Sequence, residues 1–129
     1  MTKNILGTIL ESCCDELNTG YFRNGKCDTC DNDFGMHTVC AEMSDNFLEF
    51  SKNSGNDLST PLEESDFPGL KAGDRWCICL SRWIAALEEG VAPKILLRST
   101  NYSVLEHVPD SDLIELFKAV RKFGKSSKL

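Results

Sequence analysis

Gly73-Asp74-Arg75-Trp76-Cys77-Ile78-Cys79-Leu80-Ser81-Arg82-Trp83 gathers both tryptophans of the chain, two of its seven cysteines and two arginines into one short stretch. From Leu80 onward the pattern is helical. Leu80, Trp83, Ile84 and Leu87 fall at i, i+3, i+4 and i+7 and make one apolar face, while Arg82, Glu88 and Glu89 lie elsewhere and Gly90 supplies a stop. What precedes Leu80 decides how the cysteines are used. Residues two apart point the same way on a strand and nearly opposite ways on a helix. If residues 74–78 are extended, Cys77 and Cys79 can converge with Cys40 or Cys13. If the helix already runs there, one of them is simply a small buried side chain, as free cysteine often is.

On the N-terminal side of this stretch, residues 56–73 show no periodicity and carry Pro61, Pro68, Gly69 and Gly73. A connection of that length in a small domain reads as a covering or functional loop. Before it, Ser44 as N-cap, Asp45 in the first turn, Phe47, Leu48 and Phe50 as apolar residues and Gly55 past the end predict a helix, with Met43 and Leu48 as a hydrophobic staple. Residues 35–42 predict a short strand and residues 4–11 a short strand or extended entry segment. Between them, Asp15, Asn18, Gly20, Asn24, Gly25, Asp28, Asp31, Asn32 and Asp33 predict a loop-rich lobe.

On the C-terminal side, residues 95–100 predict a buried strand and residues 101–108 a helical turn. Pro109 and Asp110 open a last helix with Leu113, Leu116, Phe117 and Val120 inward. The expected fold is α+β: about three helices, a small sheet and a large irregular lobe in a single domain over residues 1–129. Its ordered core spans about 4–123, with a basic flexible tail at 124–129.

The net charge of −6 repels a phosphate backbone, so nucleic acid is not an expected partner. No apolar run is long enough to span a membrane, and the first residues lack a secretory h-region, which predicts a soluble cytoplasmic protein. In such a compartment the seven cysteines are expected as thiols, metal ligands or transient redox partners rather than structural disulfides.

Cys27-Asp28-Thr29-Cys30 followed by His37-Thr38-Val39-Cys40 offers two ligand pairs of the kind that fold around a tetrahedral ion, with zinc as the candidate. As a redox dithiol the Cys27 and Cys30 pair is poorly placed, because Asp28 and Asp31 flank it. A small ligand near the central stretch would meet Arg75 and Trp76, with Asn56 and Asp57 supplied by the long loop. Arg82 is expected to pair with Glu88 or Glu89 or to lie against an aromatic ring. His37, near Cys40, is suited to be a ligand or the base for a thiol. No phosphate loop, serine-hydrolase elbow or zinc-protease helix is present.

Asn4-Ile5-Leu6-Gly7, Leu10-Glu11-Ser12-Cys13, Thr19-Gly20-Tyr21-Phe22-Arg23, His37-Thr38-Val39-Cys40-Ala41, Phe47-Leu48-Glu49-Phe50-Ser51, Gly55-Asn56-Asp57-Leu58-Ser59-Thr60-Pro61 and the central stretch through Trp83 together resemble the uncharacterised family catalogued as domain of unknown function 2237. The resemblance covers nearly the whole chain except the basic tail and brings no established activity. It implies that Cys13, Cys27, Cys40, Cys77 and Cys79 belong to the family pattern, whereas Cys14 and Cys30 depart from it. That moves the metal hypothesis from the Cys27/Cys30 knuckle to Cys13, Cys27, His37, Cys40, Cys77 and Cys79.

Three readings of function follow from these residues. One is a domain whose converging thiols bind a metal or another small ligand. Another is a thiol-dependent enzyme with Cys40 or Cys77 as nucleophile and His37 nearby, while a protein-binding module with structural cysteines is the third.

Overall fold

A computed structural model describes residues 2–14, 16–17, 19–65 and 67–107. The last expected helix, with Leu113, Leu116, Phe117 and Val120, the basic tail, and Asp15 and Asn18 of the turn set all lie outside the described residues.

A three-stranded antiparallel sheet forms the middle of the molecule. Strand β1 (His37–Glu42) lies between β2 (Arg75–Cys79) and β3 (Lys94–Ile95). Helix α1 (Asp45–Asn53) follows β1, α2 (Leu80–Glu88) follows β2 without a linker, and α3 (Val104–His107) is a single turn near the end of the described chain. The fold is α+β, as the sequence predicts. The central stretch resolves in favour of extension through Cys79, and the helix begins at Leu80.

Helix α1 begins where its cap dictates. The Ser44 hydroxyl accepts the Phe47 N–H at 3.2 Å, and Met43 and Leu48 both enter the main core. Its C-terminal end is tied to α2 by Arg82, whose guanidinium donates to the Ser54 carbonyl at 3.0 Å. This cation at a helix C-terminus takes the place of the expected pairing with Glu88, Glu89 or an aromatic ring. Residues 95–100 give a second correction. Only Lys94–Ile95 pair as strand, and Leu97–Ser99 turn into a 3-10 helix that puts Leu97 in the core. The entry segment is likewise a turn rather than a strand, folded around Asn4 and closed by isolated bridges from Lys3 to Ile9 and from Asn4 to Asn101.

Strand alternation divides the buried side chains between two clusters. Val39, Ala41 and Ile78 join Phe47, Leu80, Trp83 and Ile95 in the main apolar core, and Trp83, fully buried, donates its indole N–H to the Pro93 carbonyl at 3.1 Å. The long loop of residues 56–73 covers this core by contributing Phe67 and Leu70, and Leu58 packs against it. Cys40 and Cys77, directly opposite each other in the β1–β2 register, form the second cluster with Cys13 and Cys27 of the N-terminal lobe. The sheet thus joins a helical core to a cystine core.

Candidate functional site

The cystine core is where the sequence reading of the thiols is corrected. Cys13 bonds Cys40 and Cys27 bonds Cys77, so four of the cysteines expected as thiols are two disulfides, each half 0–1% exposed. Both bridges tie the N-terminal lobe to the paired strands. The backbone at three of the four cysteines is held by a polar side chain from a distant segment. The Thr19 hydroxyl accepts the Cys77 N–H at 2.8 Å, the Thr100 hydroxyl accepts the Cys40 N–H at 3.2 Å, and the Asn101 amide donates to the Cys27 carbonyl at 3.0 Å. Gly25 accepts the Cys13 N–H at 2.7 Å from a positive φ of 86°, and a Cβ there would lie 2.6 Å from the Cys14 carbonyl oxygen. Sulfurs of Cys13, Cys27 and Cys77 all lie within 4.8 Å of one another.

The six cysteine and histidine positions proposed for a metal therefore separate into two groups. Cys13, Cys27, Cys40 and Cys77 come together, whereas His37 and Cys79 make a second centre at the open end of the β1–β2 pair. The knuckle at Cys27 and Cys30 does not assemble, since Cys27 is buried in its disulfide and Cys30 is an exposed thiol.

The second centre is built by a bulge. Cys40 pairs with Cys77 and His37 with Cys79, so three steps along β1 match two along β2, and the register shifts between His37 and Val39. Without the extra residue His37 and Cys40 would face opposite sides of the sheet. With it, His37 comes to the side of the sheet where Cys77 and Cys79 point. Met36, just before the strand, adopts a positive φ of 49°, a costly conformation for a side chain of that size. Its carbonyl accepts the N–H of Leu80 at 3.1 Å and so joins the bulge to the first residue of α2.

Around this bend three side chains form a chain. Asp33 Oδ1 lies 2.7 Å from His37 Nδ1, Asp33 Oδ2 accepts the His37 backbone N–H at 2.9 Å, and the Thr29 hydroxyl donates to the same Oδ2 at 3.0 Å. Nδ1 is committed to Asp33, and Cys79 lies opposite His37 in the register, close enough to raise the pKa of the ring. Gly35 makes room for this pair: a Cβ there would fall 2.9 Å from His37 Cε1 and 3.2 Å from Cys79 Sγ. Cys79 is the N-cap residue of α2, and its side chain makes no capping bond.

Electrostatics couple the chain. The hydrogen bond with Cys79 pushes the His37 pKa up most strongly, burial opposes it, Asp33 adds to the rise, and the result is about 9 against an ordinary 6.5. Burial pushes Asp33 up, but hydrogen bonds from the His37 ring, the His37 backbone and Thr29 outweigh it and hold the carboxyl below its ordinary 3.8.

These directions fix a pH window. A histidine raised on folding contributes stability that is full below 6.5 and disappears as pH climbs to about 9, whereas the lowered Asp33 contributes above 3.8 and loses its share as pH falls further. The melting temperature of the protein should therefore decline between pH 6.5 and 9 more steeply than that of His37→Gln, measured by thermal melts in matched buffers. Parallel curves would show that the ring is not coupled to folding.

His37 also lines a cavity of about 330 Å³ together with Tyr21, Arg23, Asn56, Asp57, Trp76 and Cys77. Three of the four residues expected to meet a small ligand, Asn56, Asp57 and Trp76, thus share one hollow with the histidine. Arg75 lines a different, larger one with Cys14, Glu16 and Lys71. Arg23, from the lobe, places its guanidinium 5.9 Å from the centre of the Trp76 ring, and Phe67 meets the same ring edge-on at 5.2 Å. Asp57 is engaged locally, accepting the Thr60 hydroxyl at 2.6 Å and the Ser59 N–H at 2.9 Å.

Among the described residues no helix is long and apolar enough to cross a membrane. A family model for an uncharacterized protein conserved in bacteria, domain of unknown function 2237, matches residues 3–117, and the chain belongs to that family. It matches no curated protein.

Proposed function

We propose that this family member carries out thiol-dependent chemistry, with Cys79 as nucleophile, His37 as the imidazolium that pairs with its thiolate and Asp33 as the group that orients the ring. The observation that carries the reading is the placement of Asp33, His37 and Cys79 at a bulge and a helix start: Asp33 is hydrogen-bonded to the His37 ring, and Cys79 lies opposite His37 with both against Gly35. A cysteine nucleophile needs a base or an imidazolium beside it, and that ring needs a third group to fix its orientation. Cys40 and Cys77 cannot take this role while they are disulfide-bonded, and Cys79 is the thiol that His37 meets. A substrate would approach through the hollow that His37 shares with Trp76 and Asn56.

A second reading, as a metal-binding domain, is favoured by the sulfur spacing. In the reduced chain Cys13, Cys27 and Cys77, whose sulfurs lie within 4.8 Å of one another, would offer three buried thiolates, and Cys40, released from Cys13, would be the fourth of a closed set of the kind that holds structural zinc. The two bridges themselves fit a protein that works where thiols are oxidised, or one that cycles between the two states.

One experiment separates these readings. Protein purified without chelator is assayed for zinc before and after reduction, and its thiols are alkylated with iodoacetamide under non-reducing conditions and mapped by peptide mass spectrometry. The nucleophile reading expects Cys79 to react about tenfold or more faster than Cys30, although Cys30 is the more exposed, and His37→Gln to remove that advantage. Cys30 reacting first would sink it. One zinc per chain after reduction, with four shielded thiols, would establish the second reading, and the absence of zinc from the reduced chain would end it.

A further inference from the structure

We propose that the Cys27–Cys77 disulfide is redox-active and that Cys79 is the sulfur through which an external dithiol reaches it. The inference rests on the reading of Cys79 as a reactive thiol and gives that thiol a substrate class, dithiols and disulfides.

The first support is access. All four disulfide sulfurs belong to residues 0–1% exposed, too enclosed for direct attack by a dissolved thiol. Cys79 is half-buried, unbridged, and two residues from Cys77 on β2. Residues two apart on a strand share a face, and their Cα atoms are about 6.6 Å apart, near the upper end of the range a disulfide can span. Cys77 also lines the hollow that His37 lines, so the histidine and this half of the bridge border the same space. The second support is proximity inside the cluster. Cys27, once released, lies within 4.8 Å of the Cys13 sulfur, so the next disulfide is within reach of the first.

The exchange balances as follows. Cys79 gives its proton to water, and its thiolate, paired with the His37 imidazolium, attacks Sγ of Cys77. A Cys77–Cys79 bond forms as the Cys27–Cys77 bond breaks, and Cys27 leaves as a thiolate that recovers the proton. One sulfur of an external dithiol then attacks Cys79 and expels Cys77. The second sulfur closes the external disulfide and releases Cys79. Two electrons and two protons pass from the dithiol to Cys27 and Cys77, and Cys79 ends as it began. In reverse, the same steps oxidise the protein dithiol with an external disulfide.

The test follows reduction of the native protein by dithiothreitol, quenched by alkylation and mapped peptide by peptide. Opening of Cys27–Cys77 should be about tenfold or more slower in Cys79→Ser than in the wild type, and unchanged in Cys14→Ser and Cys30→Ser. Equal rates in the wild type and Cys79→Ser overturn the inference. A second variant tests the route itself: Cys27→Ser, oxidised in air, should contain a Cys77–Cys79 bridge, and two free thiols there would exclude the direct attack. Rapid alkylation of Cys79 combined with reduction that ignores it removes the relay and leaves the nucleophile reading standing, whereas slow alkylation of Cys79 removes both.

Discussion

Replacing Cys13 and Cys40 together by alanine lowers the unfolding free energy by about 3 kcal/mol under non-reducing conditions, with the second bridge intact. The two halves are 27 residues apart in sequence, and those of the Cys27–Cys77 bridge are 50 apart. On the chain-entropy account these separations restrain the unfolded chain by about 3.6 and about 4.1 kcal/mol respectively, before any native-state strain. The loops overlap, because Cys27 lies between Cys13 and Cys40, so the two contributions do not add. Against a total stability of roughly 5–15 kcal/mol for a domain, one bridge is a large share. Urea titration checks this: the midpoint should fall while the slope rises, because an unfolded chain with one cross-link fewer exposes more surface. An unchanged midpoint would mean that the N-terminal lobe is held by its hydrogen bonds alone. Fully reduced wild type should fall further than the double alanine variant, since it lacks both restraints.

The pairing behind that prediction was not legible in the sequence, for physical reasons. Four buried cysteines can be joined in three ways, and which way is realised depends on register and loop path rather than on local pattern. The expectation of thiols came from assigning a compartment, and it gave way to two bridges that lock the lobe to β1 and β2. What was legible was periodicity. The change from period two to period three and a half at Leu80 places the β2–α2 junction, and Ser44 and Gly55 bracket α1, because capping and turn formation are local. The strand expected over residues 95–100 shortened because Leu97 is drawn into the core by a 3-10 turn, where burial outweighs strand propensity.

The sequence marks His37 as a base near Cys40, and the bulge gives it a different neighbour. Counting along the sequence puts His37 three residues from Cys40, whereas the extra residue in β1 sets it opposite Cys79. In the sequence Asp33 reads only as a turn former, although Asp33 and His37 lie four residues apart on either side of Gly35. Thr19, Thr100 and Asn101, which hold the cysteine backbones, carry no local signal at all. Each is a buried polar residue defined by a partner at least 58 residues away.

Asn4 is the most heavily used residue of this hidden class, and Asn4→Ala should cost about 3 kcal/mol or more. The side chain is fully buried, and its one amide serves five partners. Nδ2 donates to the Thr8 hydroxyl at 2.8 Å, to the Arg98 carbonyl at 3.0 Å and to the Ile9 carbonyl at 3.2 Å, while Oδ1 accepts the N–H groups of Leu6 at 3.0 Å and Thr8 at 3.1 Å. Alanine leaves these groups without partners, at about 1–3 kcal/mol for each that water cannot reach. The exposed turn at residues 6–8 can recover some of its bonds from solvent, which keeps the expected loss well below the sum. Asn4→Asp is the sharper variant. A carboxylate still accepts from Leu6 and Thr8 but faces the Ile9 and Arg98 carbonyls without a proton, so its deficit should shrink as pH falls through the carboxylate range. The damage should also travel, because Ile5 donates to the Thr100 carbonyl at 2.9 Å and Asn4 bridges to Asn101, the two residues whose side chains hold Cys40 and Cys27. Asn4→Ala should therefore open its disulfides to dithiothreitol faster than the wild type even where both are fully folded. A stability change below about 0.5 kcal/mol, the range of ordinary surface substitutions, would show that the turn is held by its backbone bonds and that this amide is dispensable.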